Sequence, residues 1–255
     1  MPRLSDFTIK SAVSLTPDYG LIVLEAADGG VIAEMRPGQF VQVKVPGVDD
    51  VMLRRPISVH DYDGRTLSLL VRRAGRATTR LLQMRQGECL SIVGPLGNGF
   101  TIADGEKPGK ALLVGGGVGV APLLYLGRKL KEAGHAVEFL LGARSQNDLL
   151  RIADFEAVAP CHISTDDGSC GTPGLVTQNP AIIGAYDMIY CCGPAPMMKA
   201  VAAIARANDV ACEVSLENMM ACGIGACLCC VEKTVKGNVC VCTEGPVFNI
   251  NQLTW

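Results

Sequence analysis

The strongest constraint on the fold is a change in strand pattern near residue 110. Beyond it, a wholly apolar strand at residues 111–114 and a second, largely apolar strand at 137–141 flank a predicted helix at residues 122–133. An unbroken apolar strand has to be covered on both faces, and its alternation with helices is typical of a parallel sheet. Further helices are predicted at residues 149–158 and 196–207, and further strands at 162–165 and 188–191. The sequence therefore predicts a doubly wound parallel-sheet domain.

The preceding segment is predicted to be an antiparallel β-barrel. Turn residues such as Asp28-Gly29-Gly30 and Asp63-Gly64 separate short strand-forming runs, and one short helix is predicted at residues 78–84. The six strands are predicted at residues 7–15, 21–26, 40–45, 57–61, 66–72 and 90–93. Six strands at this spacing indicate a sheet closed on itself, because closure removes exposed strand edges.

Two changes in composition predict the domain boundaries. Residues 103–110 are polar and turn-forming, which predicts the first boundary. The segment from Glu213 onwards is rich in Cys and Gly, and it is too small to form a stable core without a cross-link or a bound metal. The predicted fold is β plus α/β in three parts. They are a six-stranded antiparallel barrel at residues 1–104, a doubly wound nucleotide domain at 105–212 and a small C-terminal domain at 213–255.

Composition also excludes several classes of protein. The net charge of −2 argues against a nucleic-acid partner, because such proteins usually carry a basic patch. No apolar run approaches the roughly 18 residues of a membrane span, and the charged start argues against a signal peptide. A soluble cytoplasmic chain is therefore expected. Six of the twelve cysteines fall between Cys222 and Cys242, and clustered thiols in a reducing compartment indicate metal or redox chemistry.

A glycine-rich turn joins the first apolar strand of the second domain to its helix. The turn contains Gly115, Gly116, Gly117 and Gly119, and Pro122 follows. Missing side chains let the backbone approach a pyrophosphate, and the helix N-terminus attracts the anion. The pattern predicts a dinucleotide site, although a tight, closely packed strand–helix turn would use the same glycines.

Two further loops follow strands of the same sheet, where ligands bind beyond the carboxyl ends of the strands. Asp166 and Asp167 would accept hydrogen bonds from ribose hydroxyls and repel the 2′-phosphate of NADP, which favours NAD; a solvated acidic turn is the alternative. Cys192 and Gly193 are predicted to lie near the nicotinamide, with Cys192 as a candidate catalytic residue; a buried cysteine pair is the alternative.

Two segments of the barrel are candidates for binding a flavin nucleotide. Arg55 could pair with a phosphate, and Ser58 could form a hydrogen bond with a flavin ring or ribityl chain. The segment Gly75-Arg76-Ala77-Thr78 precedes the short helix and offers a second pyrophosphate cradle. By itself, an arginine pair before a proline is a weak signal.

Cysteine spacing in the C-terminal segment is the strongest local signal. The cysteines are Cys222, Cys227, Cys229, Cys230, Cys240 and Cys242. Cys222, Cys227 and Cys230 have the C-x4-C-x2-C spacing of a plant-type [2Fe–2S] loop, with Cys242 downstream as a fourth ligand. A zinc knuckle that uses Cys227, Cys230, Cys240 and Cys242 is the alternative. The zinc site would not use Cys222, and it would not account for the predicted flavin and nicotinamide sites. We therefore favour the iron–sulfur cluster.

Several motifs together resemble the ferredoxin–NADP reductase superfamily. They are the Arg-Pro-Ile-Ser run of the barrel, the Gly-Gly-Gly-Val-Gly-Val-Ala-Pro turn and the Cys-Gly-Pro-Ala-Pro-Met loop. Within that superfamily, residues 94–100, 165–169, 220–227 and 245–248 are similar to the electron-transfer subunits of dihydroorotate dehydrogenase B. These motifs span almost the whole chain in order. The cysteine block followed by Gly-Pro-Val-Phe is specific to the narrower family.

The resemblance implies an oxidoreductase subunit with FAD, a [2Fe–2S] cluster and NAD as cofactors. It implies FAD contacts at Arg55, Pro56, Ile57, Ser58, Leu70, Val71, Arg72, Ala77 and Thr78. It also implies cluster ligation by Cys222, Cys227, Cys230 and Cys242, and the Gly-Pro-Val-Phe run favours Cys242 over Cys240.

A partner subunit is implied in the same way. It is an FMN-containing catalytic barrel that converts dihydroorotate to orotate, with two copies of each chain in the complex. The implied electron route runs from the partner's FMN through [2Fe–2S] and FAD to NAD, in de novo pyrimidine (UMP) synthesis. Glu217 is a second candidate catalytic residue, near the flavin, although a solvated carboxylate is the alternative. A related reductase subunit for ferredoxin, sulfur or hydrogen metabolism, and a zinc-stapled nucleotide-binding module, are the alternative functions.

Overall fold

The computed structural model describes residues 2–48, 50–102 and 109–255. This part of the chain contains two seven-stranded sheets and one two-stranded hairpin. The predicted boundary between residues 104 and 105 lies outside the described residues. None of the helices in these ranges is long and apolar enough to cross a membrane.

The first sheet is antiparallel throughout, as the sequence predicts. Its strands are β1 (Arg3–Thr16), β2 (Tyr19–Ala26), β3 (Phe40–Lys44), β4 (Arg55–Ser58), β5 (Asp61–Tyr62), β6 (Thr66–Arg72) and β7 (Cys89–Leu96). They are arranged in the order β4-β3-β7-β1-β2-β6-β5. Helix α1 (Arg76–Gln83) follows β6 and buries Leu81 against the sheet.

One predicted strand, at residues 57–61, is divided into β4 and β5. The division occurs where the chain changes partners: the Val59 amide donates to the Gln39 carbonyl and the His60 amide donates to the Ser68 carbonyl, both at 2.9 Å. β4 pairs with β3 and β5 pairs with β6, so this run joins the two ends of the sheet. The barrel therefore has seven strand elements in place of six.

The second half of the chain contains the remaining elements. The strands are β8 (Lys110–Gly116), β9 (Ala136–Ala143), β10 (Cys161–Thr165), β11 (Thr172–Pro173), β12 (Met188–Cys192), β13 (Ala211–Ser215), β14 (Val231–Thr234), β15 (Gly237–Cys240) and β16 (Val247–Asn249). The helices are α2 (Leu123–Glu132), α3 (Ile152–Val158), α4 (Ala195–Ala207) and the single turn α5 (Val241–Glu244).

Parallel strands form most of the second sheet, in the order β11-β10-β9-β8-β12-β13-β16, and only β16 pairs antiparallel. Its two faces bury different residues of the same strands. Leu113 and Phe139 pack with α2 and α3, whereas Leu112 and Leu140 pack on the α4 side with Val201. Burial on both faces explains the unbroken apolar runs. Strand β13 crosses the predicted boundary between residues 212 and 213, so the parallel strands of this sheet continue to Ser215.

Hydrogen bonds fix the two sheets against each other. The Tyr125 hydroxyl donates to the Met35 carbonyl at 2.8 Å, and the Tyr190 hydroxyl donates to the Thr101 carbonyl at 2.6 Å. The buried Glu213 carboxylate accepts from the Thr101 amide at 2.9 Å and from its hydroxyl at 2.7 Å. The carboxyl ends of the parallel strands therefore meet the barrel wall in a fixed arrangement.

The C-terminal segment is anchored to both sheets. Hairpin β14–β15 precedes α5, and β16 then adds to the second sheet beside β13. From the barrel, the Asn98 side chain donates to the carbonyls of Thr243 and Glu244 at 3.0 Å, and the Asn98 amide donates to the Gly245 carbonyl at 2.6 Å. The segment that carries the cysteines is thus held at the junction of the sheets.

His60 also lies at this junction and predicts a dependence of stability on pH. Its Nδ1 lies 2.7 Å from the Ala121 carbonyl, and burial lowers the pKa of His60 from 6.5 to about 4. In the unfolded chain, His60 therefore becomes protonated as the pH falls below 6.5. In the folded chain, it remains neutral until the pH reaches about 4. Stability that is complete above pH 6.5 is lost as the pH falls through this window, by about 3 kcal/mol in total.

Thermal unfolding midpoints between pH 7.5 and pH 4.5 measure this effect, with His60→Gln as the control. The variant should show a shallower loss of stability on acidification than the unsubstituted chain. Parallel curves for the two proteins would contradict the assignment to His60.

Candidate functional site

A cavity of about 400 Å³ opens at the carboxyl ends of the parallel strands. The turn after β8 lines one side of it with Gly116, Gly117 and Val118, and the loop after β12 contributes Pro194 and Met197 on the other. This is the edge of an open parallel sheet at which ligands bind. The glycine-rich turn is therefore located where the sequence predicts a dinucleotide.

The four glycines of this turn have different roles. Gly117 has φ +56° and faces open space, so it supplies a backbone conformation that other residues rarely adopt. A Cβ on Gly119 would lie 2.4 Å from the Cys192 carbonyl oxygen, one on Gly116 would lie 2.5 Å from Met197 Sδ, and one on Gly115 would meet its own turn. A 3₁₀ turn at Gly117–Val120 comes between β8 and α2. The glycines of this turn therefore allow close packing and also leave the backbone open to a ligand.

The acidic turn after β10 places one of its two aspartates in the cavity. Asp166 lines the cavity, whereas Asp167 accepts hydrogen bonds from the Ser169 hydroxyl and amide, which lower the pKa of Asp167. The prediction missed Arg144 and Asp148, which line the same cavity beyond β9. Their position after a strand of the parallel sheet was the available signal.

Cys192 and Gly193 do not line the cavity. Cys192 is 2% exposed, and burial, reinforced by the Glu217 carboxylate, raises the pKa of its thiol. The thiol is therefore protonated and shielded by the loop that follows it. The neighbouring residues that reach the cavity are Pro194 of this loop and Pro196 and Met197 of the first turn of α4.

A second cavity, of about 300 Å³, lies between the barrel and the end of β13. Seven of the nine residues predicted to contact FAD line it: Pro56, Ile57, Ser58, Leu70, Val71, Arg72 and Thr78. Arg55 does not, because its guanidinium donates to the carbonyls of Leu53 and Arg54, both at 3.1 Å. Ala77 faces the barrel core.

The Thr78 hydroxyl organises the loop before α1. It accepts hydrogen bonds from the amides of Ala74 and Gly75, at 2.8 and 3.1 Å. Ala74 also lines the second cavity, and a Cβ on Gly75 would meet nothing within 4 Å. The loop thus has open space above its backbone, as a pyrophosphate cradle requires.

The two cavities meet at three shared residues, Arg72, Val118 and Glu217. The Glu217 side chain is exposed to this space, but the surrounding protein raises the pKa of its carboxyl, against the opposing effect of Arg72. Ligands in the two cavities would therefore approach each other beside a carboxyl group that binds a proton more readily than a free glutamate.

The thiols of the C-terminal segment form pairs beside the second cavity. Cys222 lies beside Cys227, and Cys242 lies beside Cys230; Cys240 is close to both pairs. Backbone amides point at these sulfurs: Ile224 at Cys222 Sγ (3.4 Å) and Gly225 at Cys242 Sγ (3.1 Å).

Within the described residues, no three His, Cys, Asp or Glu side chains converge on one metal position. A [2Fe–2S] cluster has two irons, each held by two thiolates, and two thiol pairs suit it. Burial opposes ionisation of Cys222, but hydrogen bonds from the Ile224 amide and from Cys227 lower its pKa to about 6. The donor set therefore fits the cluster.

Cys229 lies outside the pairs. Its exposed thiol donates to the Met219 carbonyl at 3.6 Å. Met220 and Pro246, on either side of the cysteine loop, line the second cavity. The thiol pairs and the predicted flavin site are therefore adjacent.

Two family models match the chain. An oxidoreductase NAD-binding domain matches residues 113–203, and the iron–sulfur cluster binding domain of dihydroorotate dehydrogenase B matches residues 217–254. These matches and the reductase fold confirm the cofactors predicted from the sequence, which are FAD, NAD and a [2Fe–2S] cluster.

The names of curated relatives agree with these family models. The electron transfer subunit of dihydroorotate dehydrogenase B (NAD(+)) from Shouchella clausii is 39% identical over 96% of each chain, and that of Caldanaerobacter subterraneus is 41% identical over 83% of this chain and 84% of its own. Among solved structures, an NADH-dependent reduced ferredoxin-NADP oxidoreductase has 31% identity and a TM-score of 0.86, with 98% of this chain and 90% of that chain covered. The chain therefore belongs to the family of dihydroorotate dehydrogenase B electron transfer subunits, and it is an oxidoreductase component.

Proposed function

We propose that this chain carries electrons from the FMN of a dihydroorotate-oxidising partner, through [2Fe–2S] and FAD, to NAD⁺ in de novo pyrimidine (UMP) synthesis. The observation that carries the proposal is the order of the three sites. The thiol pairs adjoin the second cavity, and that cavity meets the first at Arg72, Val118 and Glu217. The family relationship supports an electron-transfer role for the chain. We also assign the chain to the cytoplasm, where its twelve free cysteines would stay reduced.

Each cofactor has an assigned set of residues in this proposal. NAD is held by the glycine turn (Gly115, Gly116, Gly117 and Gly119), with Asp166 at the ribose and the loop of Cys192 and Gly193 behind the nicotinamide. FAD is held by Pro56, Ile57, Ser58, Leu70, Val71, Arg72 and Thr78. The [2Fe–2S] cluster is held by Cys222, Cys227, Cys230 and Cys242. A flavin exchanges electrons singly and in pairs, which allows it to join a hydride carrier to a one-electron carrier.

The chain's own residues position these groups and exclude water between them. Val118 separates the two cavities with an apolar side chain, and Arg72 places a cation beside Glu217. The raised pKa of Glu217 suits a carboxyl group that holds a proton near the flavin. Asp167 and Arg55 are committed to local hydrogen bonds and are assigned supporting roles.

An apolar surface beside the cysteine pairs supports docking of a partner. Met219, Ile224, Leu228 and Val231 are 84%, 57%, 66% and 39% exposed, and all four belong to the cysteine segment. Exposed apolar patches of this kind mark protein interfaces. We assign the surface to an FMN-containing dihydroorotate dehydrogenase catalytic subunit, with two copies of each chain in the complex.

Replacing Leu228 by glutamate should weaken this interface. A buried charge without a partner would lower affinity for the catalytic subunit by about 10- to 100-fold, as at a typical interface hot spot. Ile183→Glu is the matched control, because Ile183 is 69% exposed on the nucleotide domain. Calorimetric titration should show weaker binding for Leu228→Glu alone, with reduction by NADH unchanged in both variants. Equal affinities would place the interface elsewhere.

A reductase subunit that serves ferredoxin is the second candidate function, favoured by the 31% identity to a ferredoxin-NADP oxidoreductase. The deciding experiment mixes the purified chain with the dihydroorotate-oxidising subunit and, separately, with ferredoxin. We expect iron, a flavin spectrum that NADH bleaches, and NAD⁺ reduction driven by dihydroorotate. Transfer to ferredoxin without coupling to dihydroorotate would favour the second candidate, and a colourless protein without iron would contradict both.

A further inference from the structure

Gln42 is a buried polar side chain without a hydrogen-bond partner. It lies on β3 and is 1% exposed, and neither Nε2 nor Oε1 has a partner within the described residues. Its neighbours Val41 and Val43 point into the barrel core. Because side chains alternate along a strand, Gln42 points outward from that core, to the same side as Phe40. An unpaired buried carboxamide is rare in folded proteins and indicates a missing partner.

The Gln42 side chain packs against the cysteine loop. A Cβ placed on Gly223 would lie 2.8 Å from both Cγ and Nε2 of Gln42, so this side chain packs directly on the loop backbone. Gly223 follows Cys222, and Phe40 packs in the same apolar cluster as Cys230 and Cys242. The carboxamide is therefore buried against the backbone of the cysteine loop, on the side of β3 from which Phe40 packs with Cys230 and Cys242.

We propose that Gln42 donates a hydrogen bond from Nε2 to a sulfur of the [2Fe–2S] site and raises the reduction potential of that site. This inference rests on the ligand set proposed above. Donors to cluster sulfurs stabilise the additional negative charge of the reduced state and so tune the potential. The loop already supplies backbone donors at Ile224 and Gly225. Gln42 adds a side-chain donor from the flavin-binding barrel, as a positioning and tuning residue.

Gln42→Met tests the proposal, because methionine keeps the length of the side chain and removes the donor. In an EPR-monitored redox titration of the holoprotein, we expect the equilibrium constant for reduction of the cluster to fall by about tenfold, which is 59 mV for a one-electron couple. The FAD potential should not change. Gln39→Met is the matched control: Gln39 is 8% exposed, and its carboxamide bonds the Arg36 amide and the Gly97 carbonyl instead.

An unchanged cluster potential in iron-loaded Gln42→Met would overturn the inference while leaving the ligand set intact. Absence of iron from the unsubstituted chain would instead overturn the ligand set. If Gln42→Met does not assemble the cluster, a measurement on the unsubstituted protein tests the proposal instead. With ¹⁵N in glutamine side chains, the reduced cluster should show a weak ¹⁵N coupling in pulsed EPR, and its absence would overturn the proposal.

Discussion

Replacing Cys230 by serine should remove the iron–sulfur cluster from the purified protein. Cys230 is 2% exposed, contacts Cys242, and accepts a hydrogen bond from the Cys242 amide at 3.4 Å. Serine is a poor ligand for iron at this site, and a buried pair with one thiol cannot hold its metal. We expect loss of iron and a fall of more than about 100-fold in electron transfer to the partner, larger than the effect of supporting residues.

Cys229→Ser is the matched control for this experiment. Cys229 is next to Cys230 in the sequence, but its thiol is exposed and bonds the Met219 carbonyl. Iron analysis and visible spectra should show a normal cluster in this variant. Reduction of FAD by NADH should persist in both variants, because the nucleotide cavities do not include either residue. Retention of iron in Cys230→Ser would contradict the proposed ligand set.

Replacing Gly119 by alanine should nearly abolish reduction of the protein by NADH. The added Cβ would lie 2.4 Å from the Cys192 carbonyl oxygen and 2.6 Å from Gly193 Cα, and both are backbone atoms that no side-chain rotation relieves. Overpacking of this kind costs roughly 2 kcal/mol. The turn after β8 would shift against the loop after β12, and misplacement by about 1 Å can slow a positioned reaction by about 100-fold.

Stopped-flow reduction of the bound flavin by NADH measures this effect. Reduction by dithionite serves as the internal control, because it does not require the nucleotide cavity and should remain unchanged. A Gly119→Ala protein that NADH reduces at the normal rate would contradict the assignment of this turn to NADH binding.

Local patterns in the sequence were enough to predict the three-part architecture, and together with the family resemblance they predicted the three cofactors. Strands buried on both faces are rich in apolar residues, and this feature of the sequence predicts β8 and most of β9. The spacing of the cysteines follows from the loop that wraps a [2Fe–2S] cluster. Both signals depend on residues that are close in the chain.

Only the tertiary structure decided which candidate residues line a cavity. Asp166 and Asp167 are adjacent in sequence, yet one lines the cavity and the other bonds Ser169. Arg55 bonds its own neighbours, and Cys192 is buried behind its loop. The shared wall of the two cavities and the packing of Gln42 on Gly223 join residues far apart in the chain. Such contacts depend on how the sheets pack, and packing between distant segments leaves no periodic signal in the sequence.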